Sequence, residues 1–321
     1  MPILPVKTDS SSSTRRLLLV DGHYYAFRSF YAIQSLTNVQ GEPTNAIYGM
    51  VKTLKKMLDD LKPDYAAVIF DCGLPAARLA IQPDYKSNRS ETPAALEQQM
   101  ERLQEVVEAI GFPRMVFEGE EADDLIASYA CDAMAKGIEV ILATNDKDLM
   151  QLVGPLCRVY QTDKGNFKLL QPEDIETKWG VPPQQLGAVL ALTGDSVDNI
   201  PGVPGIGPKT ASQLICQFGS LEQLLENPSE IASVRIRELI VQHQGQILKN
   251  QSMVALRTHL VLPRPLEGLL IEPDWPAQAR HFENLGFKTF LKEAQAMLTQ
   301  TPSSLPLAPL SQTTPQQTEL F

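Results

Sequence analysis

The chain has 321 residues, of which 43% are hydrophobic and 21% charged, so it can bury a core in one large domain or in two domains. The net charge of −10 argues against a nucleic-acid-binding protein unless the acidic residues are concentrated at a metal site. Four scattered cysteines, few histidines, no apolar run of membrane-spanning length and no secretory signal argue against zinc and disulfide sites and indicate a cytoplasmic protein.

Short apolar runs alternate with helical patterns in the first half of the chain. Apolar residues recur at spacings of three and four from Leu96 to Ile110 and from Leu125 to Met134, as in amphipathic helices. Four segments are candidate buried strands, the last of them weaker: residues 17–20, 66–70, 138–143 and 157–160. Strands separated by helices predict an α/β fold with a parallel sheet.

The composition divides the chain into four parts. Residues 1–14 are polar and Ser-rich, and residues 299–321 are rich in Pro, Ser, Thr and Gln, so both ends are predicted to be disordered tails. The alternating pattern predicts an α/β domain over residues 15–180. Strand signals fade after residue 180, which predicts a smaller helical region over residues 181–298.

Acidic residues follow three of the predicted strands. Asp21 follows the first strand and Asp71 the second, while Asp146 and Asp148 follow the third. Parallel strands end at a common edge of their sheet, where ligands bind, so we expect these acids to meet there. An aspartate after a strand usually only caps the next helix, but three strands ending in this way are much less expected by chance.

Further acids are expected near the same edge. Residues 120–124 place four carboxylates at the start of a helix, more than capping requires, and Asp195 and Asp198 lie three residues apart. Clustered carboxylates repel each other unless a cation neutralises them. Oxygen ligands suit Mg²⁺ or Mn²⁺, and this many can hold two ions about 4 Å apart for phosphoryl displacement.

A glycine-rich segment follows these acids. It contains Gly202, Gly205 and Gly207, followed by Lys209 and Thr210 at the start of a predicted helix. Glycines let the backbone approach a ligand closely, and backbone N–H groups at a helix start can bind phosphate. The plainer interpretation of such a loop is an ordinary connection between helices.

A basic stretch lies between the second strand and the first long helix. It contains Arg78, Lys86 and Arg89, with Tyr85 among them. Lys86 and Arg89 are three residues apart and could neutralise a phosphate opposite the metal ions, while Tyr85 could stack on a base. A solvated polar loop is the alternative interpretation.

Over residues 16–295 the chain resembles the 5′ nuclease family, which includes flap endonucleases, phage 5′ exonucleases and the N-terminal domain of bacterial DNA polymerase I. The resemblance rests on five strings in order: VDGHYYAFRSFYA, FDCGLPAARLAIQPDYKSNRSETP, EGEEADDLIAS, TNDKDLMQLV and TGDSVDNIPGVPGIGPKTA. It implies a PIN-like parallel sheet flanked by helices with a helical arch, and a C-terminal helical region carrying a helix–hairpin–helix.

The resemblance also implies roles for individual residues. The first metal ion would be held, directly or through water, by Asp21, Asp71, Glu121 and Asp123. The second would be held by Asp146, Asp148, Asp195 and Asp198, with Asp124 adding charge nearby. Lys86 and Arg89 match a catalytic basic pair at the base of the arch. Arg28 matches a substrate-contacting arginine, and Gly202–Thr210 matches a potassium-assisted duplex-binding element. Apart from the resemblance, the basic stretch predicts that Arg78 and Tyr85 also contact DNA.

The implied activity is Mg²⁺-dependent 5′→3′ exonuclease and flap endonuclease cleavage of DNA. The chain would act as a monomer on branched or 5′-ended duplexes in primer removal and repair, at the bacterial nucleoid. A non-catalytic DNA-binding protein and an RNA-cutting PIN-type nuclease are the alternatives. The length leaves no room for a polymerase domain, which favours a free-standing nuclease over a fragment of a longer polymerase.

The C-terminal pentapeptide Gln317–Phe321 resembles the motif that binds the bacterial sliding clamp. It shares the motif's glutamine, leucine and phenylalanine at Gln317, Leu320 and Phe321, but has Thr318 where an aliphatic residue is usual. A low-complexity end with two apolar residues is the alternative.

Overall fold

The structure is a computed structural model that describes residues 15–73, 75–163 and 166–300. The strands of its main sheet are β1 (Arg16–Asp21), β2 (Tyr65–Phe70), β3 (Arg114–Val116), β4 (Glu139–Ala143), β5 (Cys157–Asp163) and β6 (Asn166–Leu170). Their order is β3-β2-β1-β4-β5-β6. Neighbouring strands from β3 to β5 are parallel, and β6 is antiparallel to β5. A short antiparallel hairpin follows, with β7 (Gly194–Asp195) and β8 (Ile200–Pro201).

Helices cover both faces of the sheet and form the C-terminal region. The helices up to the end of the sheet are α1 (Gly22–Ala32), α2 (Asn45–Leu61), α3 (Ala76–Ile81), α4 (Ala94–Ala109) and α5 (Ala122–Ala135). Those after it are α6 (Pro172–Trp179), α7 (Leu186–Thr193), α8 (Pro208–Phe218), α9 (Leu221–Glu226), α10 (Val234–Gln242), α11 (Gln244–Val254), α12 (Trp275–Asn284) and α13 (Lys288–Gln300). None of the described helices is long and apolar enough to cross a membrane.

Side chains of β1 alternate between two cores, one on each face of the sheet. Leu18 and Val20 pack with residues of α1, α2, α4, α12 and α13, whereas Leu17 and Leu19 pack with residues of α5. Because helices cover both faces, every residue of β2 is buried. The result is a three-layer α/β fold, as predicted, in which the C-terminal ends of β1, β2 and β4 lie side by side.

The structure confirms the four predicted strands, which correspond to β1, β2, β4 and β5, and the two predicted helices, which correspond to α4 and α5. It adds β3 and β6, which were not predicted. β3 has only three residues, and β6 is an edge strand whose first three residues are exposed, so neither gives an apolar run in the sequence.

The resemblance places the helical arch in the segment between β2 and β3. The segment after β2 contains one short helix, α3, followed by hydrogen-bonded turns over residues 82–89. Two contacts attach these turns to the loop between β7 and β8. The backbone N–H of Lys86 donates to the carbonyl of Asp198 (3.0 Å), and the Asn199 side-chain amide donates to the carbonyl of Asp84 (2.8 Å).

The C-terminal helices belong to two different cores. A separate apolar core runs from Val181 to Ile247, within the helical region predicted to begin at residue 181. Phe282 and Phe290, from α12 and α13, instead pack in the core on one face of the sheet. Helices α12 and α13 therefore do not join the separate core, whereas the sequence predicted one helical region over residues 181–298.

The predicted tails fall almost entirely outside the described residues. Helix α13 continues to Gln300, so Thr299 and Gln300 are helical, whereas the sequence predicted them to be part of the disordered tail. Residues 1–14 and 301–321, including Gln317, Leu320 and Phe321, lie outside the part of the chain that the structure describes.

Candidate active site at the acidic edge of the sheet

A cleft of about 550 Å³ lies at the C-terminal ends of β1, β2 and β4. The acidic residues that line it are Asp21, Asp71, Asp123, Asp146, Asp195 and Asp198. The basic residues that line it are Lys86, Arg89, Lys147 and Lys178. Six of the predicted metal-binding acids therefore line one cleft together with Lys86 and Arg89, the two basic residues predicted to be catalytic. These residues are far apart in sequence.

The acids on the β1 and β2 side are held by backbone and side-chain donors. Asp21 caps α1, because its Oδ1 accepts the N–H of Tyr24 (2.9 Å), while its Oδ2 accepts the Thr144 hydroxyl (3.2 Å). Asp71 Oδ1 accepts the N–H of Ala122 at the start of α5 (2.8 Å). Asp21 therefore serves as a helix cap and still lines the cleft, so the capping interpretation and the site interpretation are compatible.

The acids on the β4 side are arranged by two tight turns. In the turn after β4, the N–H of Asp148 donates to Asp146 Oδ1 (2.7 Å). In the loop after β7, the N–H of Val197 donates to Asp195 Oδ1 (2.9 Å). Asp198 follows in the same loop and is 6% exposed. These local hydrogen bonds bring the two pairs of acids to the same side of the cleft.

Burial and mutual repulsion make these carboxylates hard to ionise together. Burial, followed by the charges of Asp71 and Asp146, raises the pKa of Asp21 to about 7. Burial, followed by repulsion from Asp146, Asp195 and Asp198, raises the pKa of Asp148 to about 8. A bound cation would relieve both effects, because it favours the charged carboxylates.

Asp146 interacts electrostatically with both groups of acids. Burial raises the pKa of Asp123 first, and the strongest repulsion after that comes from Asp146. Burial also raises the pKa of Asp146, and the charges of Asp198 and Asp195 raise it too. The charge of Asp146 therefore acts on both the predicted first and the predicted second set of ligands.

The donor atoms of the cleft fit a hard divalent cation. They are carboxylate oxygens, and Asp148 Oδ1 is buried without a hydrogen-bond partner among the described residues. As they stand, no three acidic, histidine or cysteine side chains in the described chain are placed to hold one ion together. Basic side chains contact these acids instead: Arg89 contacts Asp198 and Lys147 contacts Asp195. Ion binding therefore requires the side chains to rearrange.

We expect the stability of the metal-free protein to fall as pH rises. Asp21 and Asp148 have folded-state pKa values of about 7 and about 8, above the usual 3.8, so the folded state binds their protons more tightly. This stabilisation is complete below about pH 4 and is lost as pH rises through 7 to 8. The unfolding temperature in EDTA, measured from pH 5 to 8.5, should fall less steeply in Asp148→Asn. An unchanged slope in that variant would contradict the assignment.

The structure corrects the prediction that Arg78 contacts DNA. Arg78 is 6% exposed, and its guanidinium forms a two-pronged ion pair with Asp124, at 2.6 and 3.0 Å. Asp124 is 1% exposed, and both of its oxygens accept hydrogen bonds from Arg78. Arg78 therefore cannot reach a DNA backbone, and Asp124 is a structural partner of Arg78 rather than a metal ligand.

Tyr85 and Glu121 also differ from their predicted roles. Tyr85 is 7% exposed, so its ring cannot stack on a base, and its hydroxyl donates to Asp198 Oδ2 (3.1 Å) and lies near Glu121. Glu121 is 5% exposed and contacts both Arg78 and Lys86. Glu121 does not line the cleft, so its predicted role as a metal ligand would require Lys86 to leave it.

Arg28 lies in an adjoining cleft of about 340 Å³. Its guanidinium donates to the hydroxyl of Thr162, and it stacks over the ring of Tyr25 at 5.7 Å. Tyr24 and Asn145 line both clefts, so Arg28 lies beside the acidic site without contacting its carboxylates. This placement is compatible with the predicted contact to substrate.

The glycine-rich segment connects α7 to α8, as a helix–hairpin–helix requires. Gly205 has a φ of +84°, which favours glycine, and a side chain at Gly202 would lie 2.0 Å from the carbonyl oxygen of Thr193. Gly207 and Lys209 are exposed and Thr210 is half-buried at the start of α8. The backbone and Lys209 of this hairpin are therefore accessible from solvent.

Sequence reasoning assigned no role to His23, Lys147 or Lys178, all of which line the cleft. His23 Nδ1 accepts the backbone N–H of Asp71 (3.1 Å), which fixes the ring against the end of β2. The sequence offers a signal for Lys147, because it lies between Asp146 and Asp148. It offers none for Lys178, because α6 follows the sheet and is brought to the cleft only by the fold.

Comparisons with known proteins bear on the family and the fold of the chain. The family model of the 5′-3′ exonuclease N-terminal, resolvase-like domain matches residues 16–180, and that of the 5′-3′ exonuclease C-terminal SAM fold matches residues 181–276. A 5′-3′ exonuclease of Aquifex aeolicus is 34% identical over 89% of this chain and 97% of its own. DNA polymerase I of Rhizobium leguminosarum is 42% identical over 80% of this chain, and DNA polymerase I of Bacillus subtilis 37% over 87%.

The chain spans 26% of the Rhizobium polymerase and 32% of the Bacillus polymerase. Among solved structures, a complex of the bacteriophage T5 flap endonuclease with DNA and metal ions has a TM-score of 0.64, at 22% identity over 89% of this chain and 100% of its own. The catalytic core of Rad2 with a DNA substrate has a TM-score of 0.59, at 15% identity over 89% of this chain and 91% of its own. At these identities the two structures support the fold alone.

Proposed function

Because this chain belongs to the 5′-3′ exonuclease family, we propose that it is a divalent-cation-dependent nuclease that cuts DNA at 5′ ends and flaps. One observation carries the proposal: acids from the ends of three parallel strands and from the β7–β8 loop line one cleft together with basic residues. Mg²⁺ is the proposed cation, with Mn²⁺ as a substitute, because the donors are all carboxylate oxygens.

The acids of the cleft fall into two sets that would hold the cations. One set is Asp21, Asp71 and Asp123, and Asp146 lies between the two sets. The other set is Asp195 and Asp198, which line the cleft, and Asp148, which does not line it but interacts electrostatically with both. When bound, two such ions supply an activated water and stabilise the charge that develops during in-line phosphodiester hydrolysis. The carboxylates position the ions, so no side chain needs to act as a general base.

Lys86 and Arg89 are proposed to bind the scissile phosphate. Both line the cleft and now contact acids, Lys86 with Glu121 and Arg89 with Asp198 at 2.5 Å. Arg89 would become available to neutralise a phosphate if a cation held Asp198, and Lys86 would do so if its side chain left Glu121. The proposed products carry a 5′-phosphate and a 3′-hydroxyl.

The hairpin between α7 and α8 is proposed to hold duplex DNA through its backbone, with K⁺ assisting. Lys209 is exposed at the start of α8 and can contact phosphate. We expect Lys209→Ala to weaken binding of any duplex sequence and to reduce the slope of log affinity against log salt by about one. Fluorescence anisotropy from 50 to 300 mM KCl measures this. Lys288→Ala, at an exposed lysine on α13, is the control, and equal slopes in both variants would contradict the hairpin's role.

Cleavage of labelled DNA tests the proposed activity most simply. The full chain should cut a 5′-labelled flap near its junction with Mg²⁺ and should not cut it with EDTA. Single-stranded RNA, the substrate of a PIN-type RNA nuclease, should be cut much more slowly. Binding of the flap without any cleavage would instead support the non-catalytic alternative.

The remaining predictions stay proposals that rest on the family relationship. We propose that the chain acts as a monomer in primer removal and repair at the bacterial nucleoid. Its domain boundary near residue 180 and its disordered tails are proposals as well. Binding of the sliding clamp through Gln317, Leu320 and Phe321 is a further proposal, made from sequence alone.

A further inference from the structure

Lys147 is a basic residue of the cleft that the proposed mechanism does not use. It follows β4, and its neighbours in sequence are Asp146 and Asp148. Its ammonium group lies 2.8 Å from Asp195 Oδ1, in a different part of the chain. The Asp195 side chain is only 7% exposed and that of Lys147 26% exposed, so the pair is largely shielded from water. Such a pair is stronger than one on the open surface.

The ammonium group of Lys147 lies where we expect the second acidic set (Asp148, Asp195 and Asp198) to bind a cation. This ammonium contacts Asp195, and Lys147 precedes Asp148, whose Oδ1 is buried without a partner in the described chain. A lysine ammonium is a compact point charge on a flexible stem, so it can neutralise carboxylates without fixed geometry and can swing away.

We propose that Lys147 is an internal counter-cation that a divalent ion must displace from Asp195 in order to bind the second acidic set. Lys147 therefore lowers the affinity of that set for the ion and determines the concentration of divalent cation at which the set fills. This inference rests on the proposed metal-dependent function and adds a residue that controls it.

Lys178 provides a matched control for this role. It lines the same cleft and carries the same charge, but it is exposed and lies over the ring of Trp179 at 5.5 Å. Among the described residues it forms no ion pair with an acid. Replacing either lysine removes one positive charge from the cleft, so a difference between the two variants isolates the contact with Asp195.

The test is a calorimetric titration of the full chain with MnCl₂ in the absence of DNA. We expect Lys147→Met to tighten the weaker Mn²⁺ site on the order of fivefold, the gain for losing a competing ion pair of about 1 kcal/mol. The stronger site should change by less than about twofold, and Lys178→Met should leave both sites within that range. Tightening by equal factors in the two variants would show a general charge effect and overturn the role of Lys147.

A second measurement does not depend on resolving two sites. In EDTA, Lys147→Met should unfold at a lower temperature than the wild type, because Asp195 loses its partner. Saturating Mg²⁺ should raise the unfolding temperature more in Lys147→Met than in the wild type. An equal rise in both would contradict the inference. If the wild type itself binds no Mn²⁺, the proposed metal-dependent function is contradicted as well. If the wild type binds Mn²⁺ and Lys147→Met binds it equally well, only the inference about Lys147 is contradicted.

Discussion

Asp146→Asn should lower the rate of 5′-flap cleavage by about 10²- to 10³-fold or more, a loss typical of removing one key electrostatic group from an active site. Asp146 lies between the two acidic sets, and its charge acts on both. The amide keeps the side-chain oxygen that accepts the N–H of Asp148 at 2.7 Å, so the turn after β4 should persist. The measurement is single-turnover cleavage at saturating Mg²⁺, with duplex affinity measured in parallel and expected to stay within about twofold.

The same substitution should stabilise the protein when no divalent ion is present. Asp146 raises the pKa of Asp21, Asp123 and Asp148 through repulsion, and removing its charge relieves all three. We therefore expect a higher unfolding temperature in EDTA, together with a smaller increase on adding Mg²⁺. Asp174→Asn, at an acid paired with Lys168 outside the cleft, is the control for cleavage. Cleavage at the wild-type rate by Asp146→Asn would contradict the metal assignment.

Arg78→Met should destabilise the fold by about 3–5 kcal/mol, the usual effect of breaking a buried ion pair. Its guanidinium donates to both oxygens of Asp124 and to the carbonyl of Met253 (3.1 Å), and it contacts Glu121. These contacts join α3 to α5 and to the last turn of α11. Methionine fills a similar volume but leaves the buried Asp124 without a positive partner and leaves Glu121 with Lys86 alone.

Urea unfolding measures this effect, and Arg102→Met is its control. Arg102 pairs with Glu42 at 3.3 Å on the surface, where an ion pair contributes at most about 1 kcal/mol. Arg78→Lys should recover only part of the stability, because one ammonium cannot donate to both oxygens as the guanidinium does. If Arg78 contacted DNA, as the sequence predicted, Arg78→Met would instead weaken DNA binding and leave stability near that of the wild type.

Three acids of the cleft were predictable because each follows a strand whose apolar run is visible in the sequence. Asp21, Asp71 and Asp146 needed only the rule that parallel strands end at one edge, and the structure places all three in one cleft. Arg78 and Tyr85 were not predictable in this way. A basic and aromatic stretch has the same composition whether it faces solvent or, as here, lies over buried carboxylates.

The core that α12 and α13 join could not be predicted from the sequence either. Apolar residues of α12 and α13 show that these helices are buried on one side, but not which core they join. Phe282, Phe287 and Phe290 lie more than 200 residues after β1, yet they pack with it on one face of the sheet. Long-range packing of this kind depends on the whole fold, so a boundary drawn from local composition could not locate it.

Anomalous X-ray scattering from crystals soaked in MnCl₂ would test most directly whether the acids at the ends of β1, β2 and β4 meet to bind divalent cations. We expect Mn²⁺ peaks in the cleft, coordinated on one side by Asp21, Asp71 or Asp123 and on the other by Asp148, Asp195 or Asp198, with Asp146 between them. Crystals in which Mn²⁺ binds elsewhere, or does not bind at concentrations that support cleavage, would contradict the account.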